Sequence, residues 1–141
     1  MAHGSPPLDE LHSVLDEFHA AAAVANEERY LARWSPAGVF LGTDPDDRWA
    51  GNTFTDFVHA SFSRGRGWTY VVESRSFDVA EDGRTAWFDE RLLNDSYGVC
   101  RGTGVLQRRD DGWKIEQYSL SVPIPDEIAA DVVARIRESA S

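Results

Sequence analysis

From Leu8 onward the apolar positions first recur at helical intervals. Leu8, Leu11, Leu15, Phe18, Ala22 and Ala25 form one stripe, which predicts an amphipathic helix. Ser5-Pro6-Pro7 followed by Asp9 and Glu10 suits its start, since proline is pre-organised for a first turn and acids favour that end. Asn26 interrupts the stripe, and residues 27–34 read as a short second helix with Tyr30, Leu31 and Trp34 on one side. Ser35-Pro36 ends it, because a residue before proline is pushed out of the helical region. Residues 39–43 read as a short strand, and Asp44-Pro45-Asp46-Asp47 as a turn. Thr53 with Asp56 three positions on is a variant capping box, opening a third helix with Phe54, Phe57, Val58 and Phe62 as its apolar positions. Gly65 and Gly67 close that helix.

Beyond this point the period falls to two. Residues 68–79, 85–93, 99–109 and 113–122 read as successive strands, separated by Glu81-Asp82-Gly83, residues 94–98 and Asp110-Asp111-Gly112. Asp-Gly in two of these turns is a hairpin signal. Pro123 and Pro125 stop the sheet, and Asp126 caps a last helix with Ile128, Ala129, Val132, Val133 and Ile136 as its apolar face. The order predicts an α+β fold: N-terminal helices on one face of a curved, mainly antiparallel sheet, plus a C-terminal helix. We expect one domain over residues 1–141, with its core at about 8–125 and the terminal helix at about 126–139.

A sheet covered on one side shows clean alternation, and here it is blurred. Trp113 and Ile115 oppose Lys114 and Glu116, yet Tyr118, Leu120 and Val122 fall in phase with the polar pair. Trp68, Tyr70 and Val72 likewise oppose Val71, Phe77 and Val79. Either both sheet faces are buried, one of them by a second subunit, or a β-bulge reverses the phase.

Composition narrows the function classes. The 141 residues carry 14 Lys and Arg against 24 Asp and Glu, a net charge of −10 that argues against nucleic acid and anionic membranes as partners. The longest wholly apolar run is six residues, 20–25, so no span is expected, and the N-terminus lacks signal-peptide character. The lone Cys100 excludes an intramolecular disulfide and multi-cysteine metal sites, and together these features suggest a cytoplasmic location. No His-Glu-x-x-His spacing is present, so neither a metal nor another cofactor is expected. Five Trp, four Tyr and seven Phe are the surplus that needs a use.

Several strings resemble the nuclear transport factor 2-like superfamily, and within it the SnoaL-like, ketosteroid-isomerase-related domains. The most specific is Arg108-Arg109-Asp110-Asp111-Gly112-Trp113-Lys114-Ile115-Glu116-Gln117-Tyr118-Ser119-Leu120-Ser121, which resembles their closing hairpin. Phe40-Leu41-Gly42-Thr43-Asp44-Pro45 and Thr85-Ala86-Trp87-Phe88-Asp89-Glu90 are similar to a first and a central strand of one subgroup. The closing hairpin is also similar to that of the association domain of calcium/calmodulin-dependent kinase II. The resemblance implies a cone-shaped fold with a pocket between sheet and helices, commonly a homodimer through the sheet face.

An aromatic-lined cone suits a small hydrophobic or aromatic ligand. Trp34, Phe40, Trp49, Phe54, Phe57, Trp68, Phe88 and Tyr118 are the wall candidates, each of which can equally be ordinary core. Gln117 and Ser119 share phase with Trp113 and Ile115 and are expected to face inward as polar pocket groups, unless Gln117 sits at the rim and Ser119 bonds backbone. Glu90 shares parity with Ala86, Phe88 and Leu92. Facing an aromatic cavity, it would have a raised pKa and serve as a general base; the alternative is a salt bridge to Arg75 or Arg101. Asp44 and Arg48 flank a turn near the expected mouth, with Asp44 a second candidate base and Arg48 a binding group, or both serve only the loop. His12 and His19 lie beside the first helix's stripe and His59 stands alone, so none is singled out. Gly102-Thr103-Gly104 lies within a strand, where glycines allow close packing.

The catalytic sets of the superfamily are incomplete here: no base–Tyr–Asp trio, no Asp-Arg-Asp set and no histidine on the sheet. Three readings follow: a homodimeric small-molecule-binding domain; an acid–base isomerase, cyclase or dehydratase acting on a hydrophobic carbonyl compound; and an association module using the last helix.

Overall fold

The computed structural model describes residues 8–140, so the Ser5-Pro6-Pro7 opening expected for the first helix lies outside the described residues. Helix α1 (Leu8–Ala23) buries Leu11, Val14, Leu15, Phe18, Ala21 and Ala22, the stripe its spacing predicts. Asn26 then caps helix α2 (Glu27–Leu31), its side-chain oxygen accepting from the Arg29 N–H at 3.1 Å. That helix ends earlier than expected. Trp34, Ser35 and Pro36 belong to strand β1 (Trp34–Leu41), where Trp34 lies opposite Ile115. The extended conformation that proline imposes on Ser35 suits a strand as well as a helix end, and long-range pairing decided between them. Pro36 falls where the register of this pair shifts, so its missing N–H breaks no regular ladder.

A three-residue strand, β2 (Arg48–Ala50), follows the acidic turn and pairs antiparallel with β1; nothing in the periodicity announces so short an element. Helix α3 (Gly51–Phe62) starts two residues before Thr53. Thr53 is therefore the third helical residue and not the N-cap, its hydroxyl donating to the Ala50 carbonyl at 2.7 Å and accepting from the Ala50 N–H at 3.5 Å. Phe54, Val58 and Phe62 are its buried positions.

Strands β3 (Val71–Val79), β4 (Thr85–Asn94), β5 (Gly98–Arg109) and β6 (Gly112–Ser121) form the expected meander. The six strands make one open sheet in the order β2-β1-β6-β5-β4-β3, antiparallel except for β1 against β6. Helices α1 to α3 supply the second layer.

Two bulges explain the blurred alternation. On β6, Ile115 faces Leu106 and Gln117 faces the next residue, Val105, leaving Glu116 extra. The phase reverses there, so Trp113, Ile115, Tyr118 and Leu120 all belong to the buried inner face. On β3 the register shifts between Val72 and Ser74, leaving Glu73 extra and putting Val72, Arg75, Phe77 and Val79 opposite Leu92, Glu90, Phe88 and Ala86. Bulges also bend a sheet and sharpen its twist, which curves it around the helices. The outer face keeps exposed apolar side chains: Val71, Trp87, Leu93 and Val99.

After β6 a 3-10 turn (Asp126–Ile128) leads into helix α4 (Ala129–Ser139), which buries none of its residues. Its apolar stripe does not pack on its own sheet: Val133 and Ile136 are about half exposed. No helix among the described residues is long and apolar enough to cross a membrane.

Candidate functional site

Glu90 projects from the centre of β4 into the inner face with its side chain fully buried. Three donors converge on it. His19 of α1 places Nε2 at 2.7 Å from Oε1, the Tyr118 hydroxyl donates to the same oxygen at 2.6 Å, and Arg75 Nε donates to Oε2 at 2.8 Å. Arg75 is itself buried. Its Nη1 donates to Asp16 Oδ1 at 2.9 Å and lies 3.0 Å from His12 Nδ1. His12, Asp16 and His19 are spaced four and three apart, so a single face of α1 meets Arg75 and Glu90 on neighbouring strands. Room for this arrangement comes from Gly102 on β5: a Cβ there would run into the Tyr118 hydroxyl and lie 3.1 Å from Glu90 Cγ. Gly104 plays the same part under the Phe88 ring.

The electrostatics follow from these contacts. Burial pushes the Glu90 carboxyl upward, but the His19 and Tyr118 hydrogen bonds and the nearby Arg75 charge together hold it below its ordinary value. This corrects the expectation of a raised pKa. Glu90 is an ionised anchor for His19, not a free base, and the salt bridge to Arg75 weighed from the sequence is present. Burial, and then the Glu90 charge, pushes the Tyr118 phenol well above its ordinary value, so it remains a donor. Because an ionised carboxylate only accepts, His19 carries its proton on Nε2. Its Nδ1 is bonded to no protein group among the described residues.

His19 and Tyr118 line a cavity of about 510 Å3 between α1, α3 and the β1–β2 end of the sheet. Of the wall candidates, Phe40, Trp49, Phe57 and Trp68 line it. Trp49 and Phe57 stack at 4.6 Å and Phe57 and Trp68 at 5.9 Å, while Phe40 stacks on Tyr118 at 6.0 Å. Tyr70, its phenol pushed up to about 12 by burial, and the segment from Asn94 to Tyr97 complete the mouth. Neither was expected there.

The remaining candidates lie elsewhere. Trp34 and Phe54 border a separate cavity of about 220 Å3, and Phe88 is buried core in contact with Tyr118. Gln117 and Ser119 face the outer side of the sheet, because the Glu116 bulge puts Tyr118 and Leu120 inward in their place. Asp44 is exposed outside the cavity, its Oδ1 accepting from Asp46 N at 2.9 Å, and Arg48 is exposed on β2. Neither lines the cavity. Cys100 is buried, and burial pushes its thiol up.

A cone of helices over a bulged sheet with an aromatic cavity is the architecture the closing hairpin suggested, and a family model described as the SnoaL-like domain matches residues 11–125. The chain belongs to the SnoaL-like domain family. Solved structures agree with this SnoaL-like assignment at the level of fold. A protein of unknown function with a cystatin-like fold from Nostoc punctiforme is 15% identical with a TM-score of 0.69, over 86% of this chain and 96% of that one. A provisionally assigned dehydratase of the nuclear transport factor 2-like family from Streptomyces avermitilis is 17% identical, with a TM-score of 0.68 over 84% and 97%. A provisionally assigned scytalone dehydratase from Novosphingobium aromaticivorans is 10% identical, with a TM-score of 0.70 over 83% and 84%. Among curated proteins, none matches this SnoaL-like chain by sequence.

Proposed function

We propose that this SnoaL-like domain binds a small, flat, largely apolar molecule in its cone and moves a proton on it, with His19 as the base. One observation carries the reading: the His19–Glu90 contact of 2.7 Å, buried at the wall of an aromatic cavity large enough for a drug-sized ligand. A carboxylate that accepts Nε2–H fixes the imidazole tautomer and stabilises the imidazolium that forms when the other nitrogen takes a proton. Nδ1 is that other nitrogen. It accepts a proton from a carbon next to a carbonyl, and the imidazolium returns it to a departing hydroxyl, giving dehydration, or to another carbon, giving isomerisation. Arg75 and Tyr118 keep Glu90 ionised through the cycle. Two similar structures carry provisional dehydratase names, which is consistent with this class.

The same reading includes a cytoplasmic location and a second copy of the chain on the outer sheet face, where Val71, Leu93 and Val99 sit side by side on adjacent strands and Trp87 is 48% exposed.

The test is proton exchange into deuterated water, followed by NMR, over a panel of cyclic enones and β-hydroxy aryl ketones. We expect exchange on at least one member, reduced by about a hundredfold or more in His19→Asn, in the range typical of general acid–base catalysis. Asp44→Asn, outside the cavity, leaves it unchanged. Exchange on no compound, or equal exchange in His19→Asn, overturns the proposal.

A further inference from the structure

The cavity wall has a charge pattern that its aromatic content conceals. Asp47 and Asp95 both line it, and neither Lys nor Arg does. Elsewhere on the chain Asp16, Glu17, Glu73, Glu90, Asp111 and Glu116 each have an Arg or Lys partner. Asp47 and Asp95 have no cationic partner among the described residues. Asp47 accepts only a backbone N–H, that of Asp44, at 3.2 Å. Both are held at the mouth by their loops. The Gly42 N–H donates to the Asp47 carbonyl at 3.0 Å, and the Asn94 side chain clamps the second loop by accepting from Ser96 and Tyr97 N–H, each at 2.9 Å, and donating to the Thr69 carbonyl at 3.0 Å. The rings of Trp49, Phe57, Trp68, Tyr70 and Tyr97 line the same cavity.

An aromatic wall with two unpaired carboxylates is a poor host for an anion, which would leave water to meet two like charges. It is a good host for a cation, which gains from both the carboxylates and the negative faces of the rings. The overall charge of −10 acts in the same direction by enriching cations near the mouth. Deepening the functional reading above, and resting on its cavity, we propose that the natural ligand is a cationic amine: an apolar, ring-bearing body within the cone and a protonated or quaternary nitrogen at the mouth between Asp47 and Asp95. Carboxylate-bearing analogues of the same body are excluded.

Three probes that share one ring and differ in end-group charge test this: tryptamine (+1), tryptophol (0) and indole-3-acetate (−1), titrated calorimetrically into the full chain. The expected order is tryptamine tightest, at least tenfold tighter than tryptophol, with indole-3-acetate weakest. In Asp47→Asn/Asp95→Asn the tryptamine advantage shrinks to threefold or less while tryptophol binding stays unchanged; these positions are half-buried and exposed, so the variant folds. Raising salt weakens tryptamine alone. If tryptophol or indole-3-acetate binds as tightly as tryptamine, or the preference survives in the double variant, the cationic assignment falls and the proton-transfer reading stands. If none of the three binds at millimolar concentration, the cationic assignment falls, and the proton-transfer reading is decided by the exchange test alone.

Discussion

Arg75→Met is the most informative single change in this fold. It removes the one guanidinium that faces both Glu90, whose side chain is fully buried, and Asp16, which is largely exposed, while leaving a side chain of similar length in place. Asp16 regains water at little cost, so the effect concentrates on Glu90. Breaking a buried ion pair from one side typically costs about 3–5 kcal/mol, because a charge is left without compensation. His19 and Tyr118 still donate to Glu90, which argues for the lower half of that range at neutral pH. The sign of the pH dependence makes the test sharp. In the native chain the folded carboxyl titrates below its unfolded value, so its contribution is complete above the unfolded pKa and is lost as pH falls through the folded one. In Arg75→Met one of the influences that hold the Glu90 carboxyl down is gone, so its folded pKa rises relative to the native chain. The native advantage over the variant is therefore full at neutral pH and shrinks as pH falls through the folded carboxyl's titration. Urea unfolding at pH 4 to 8 reads both effects. The variant should lose about 3 kcal/mol at pH 7 and less at pH 4. A loss below about 1 kcal/mol at pH 7, no more than an exposed ion pair is worth, or one of equal size at both pH values, would refute the account of Glu90 as a buried anion held by three donors.

Two further outcomes follow from the packing. Gly102→Ala should cost about 1–3 kcal/mol in thermal or urea unfolding, because the added methyl group meets the hydroxyl of Tyr118, which is only 2% exposed and has nowhere to move. The same change in a Tyr118→Phe background should cost less, and an equal cost in both would show that the hydroxyl is not what Gly102 accommodates. Trp87→Lys should leave the melting temperature within a degree or two while shifting light-scattering mass from dimer toward monomer at micromolar concentration; unchanged mass would remove the outer sheet face as the pairing surface.

The elements that periodicity reveals are those whose side chains meet one continuous face. Helix α1 and strand β4 are such cases, and parity on β4 alone turned Glu90 inward with Ala86, Phe88 and Leu92. Parity fails where the chain inserts a residue. Glu73 and Glu116 are both charged residues on strands, with neither glycine nor proline to mark the bulge, yet each reverses the phase of what surrounds it. That is why Gln117 and Ser119 read as pocket groups and face outward, and why two-sided burial stood beside a bulge as an explanation when one face suffices for Trp113 and Tyr118 alike. Strand β2 was invisible for a different reason. Three residues carry no period, and their pairing with β1 depends on a turn closed by Asp44 and Asp47.

The site itself needed information that no local pattern holds. His12, Asp16 and His19 share a helix face, a regularity present in the sequence, but its meaning depends on Arg75 and Glu90 lying opposite each other on β3 and β4. Even that register is set by the Glu73 bulge. Without the extra residue, the side chains that follow Val72 on β3 would exchange faces, turning Arg75 outward and leaving Glu90 buried with His19 and Tyr118 only. Such a carboxyl would lose the Arg75 charge and sit higher than it does here. The bulge therefore shapes the site: by turning Arg75 inward it brings a third donor to Glu90, the carboxylate that accepts Nε2–H of His19.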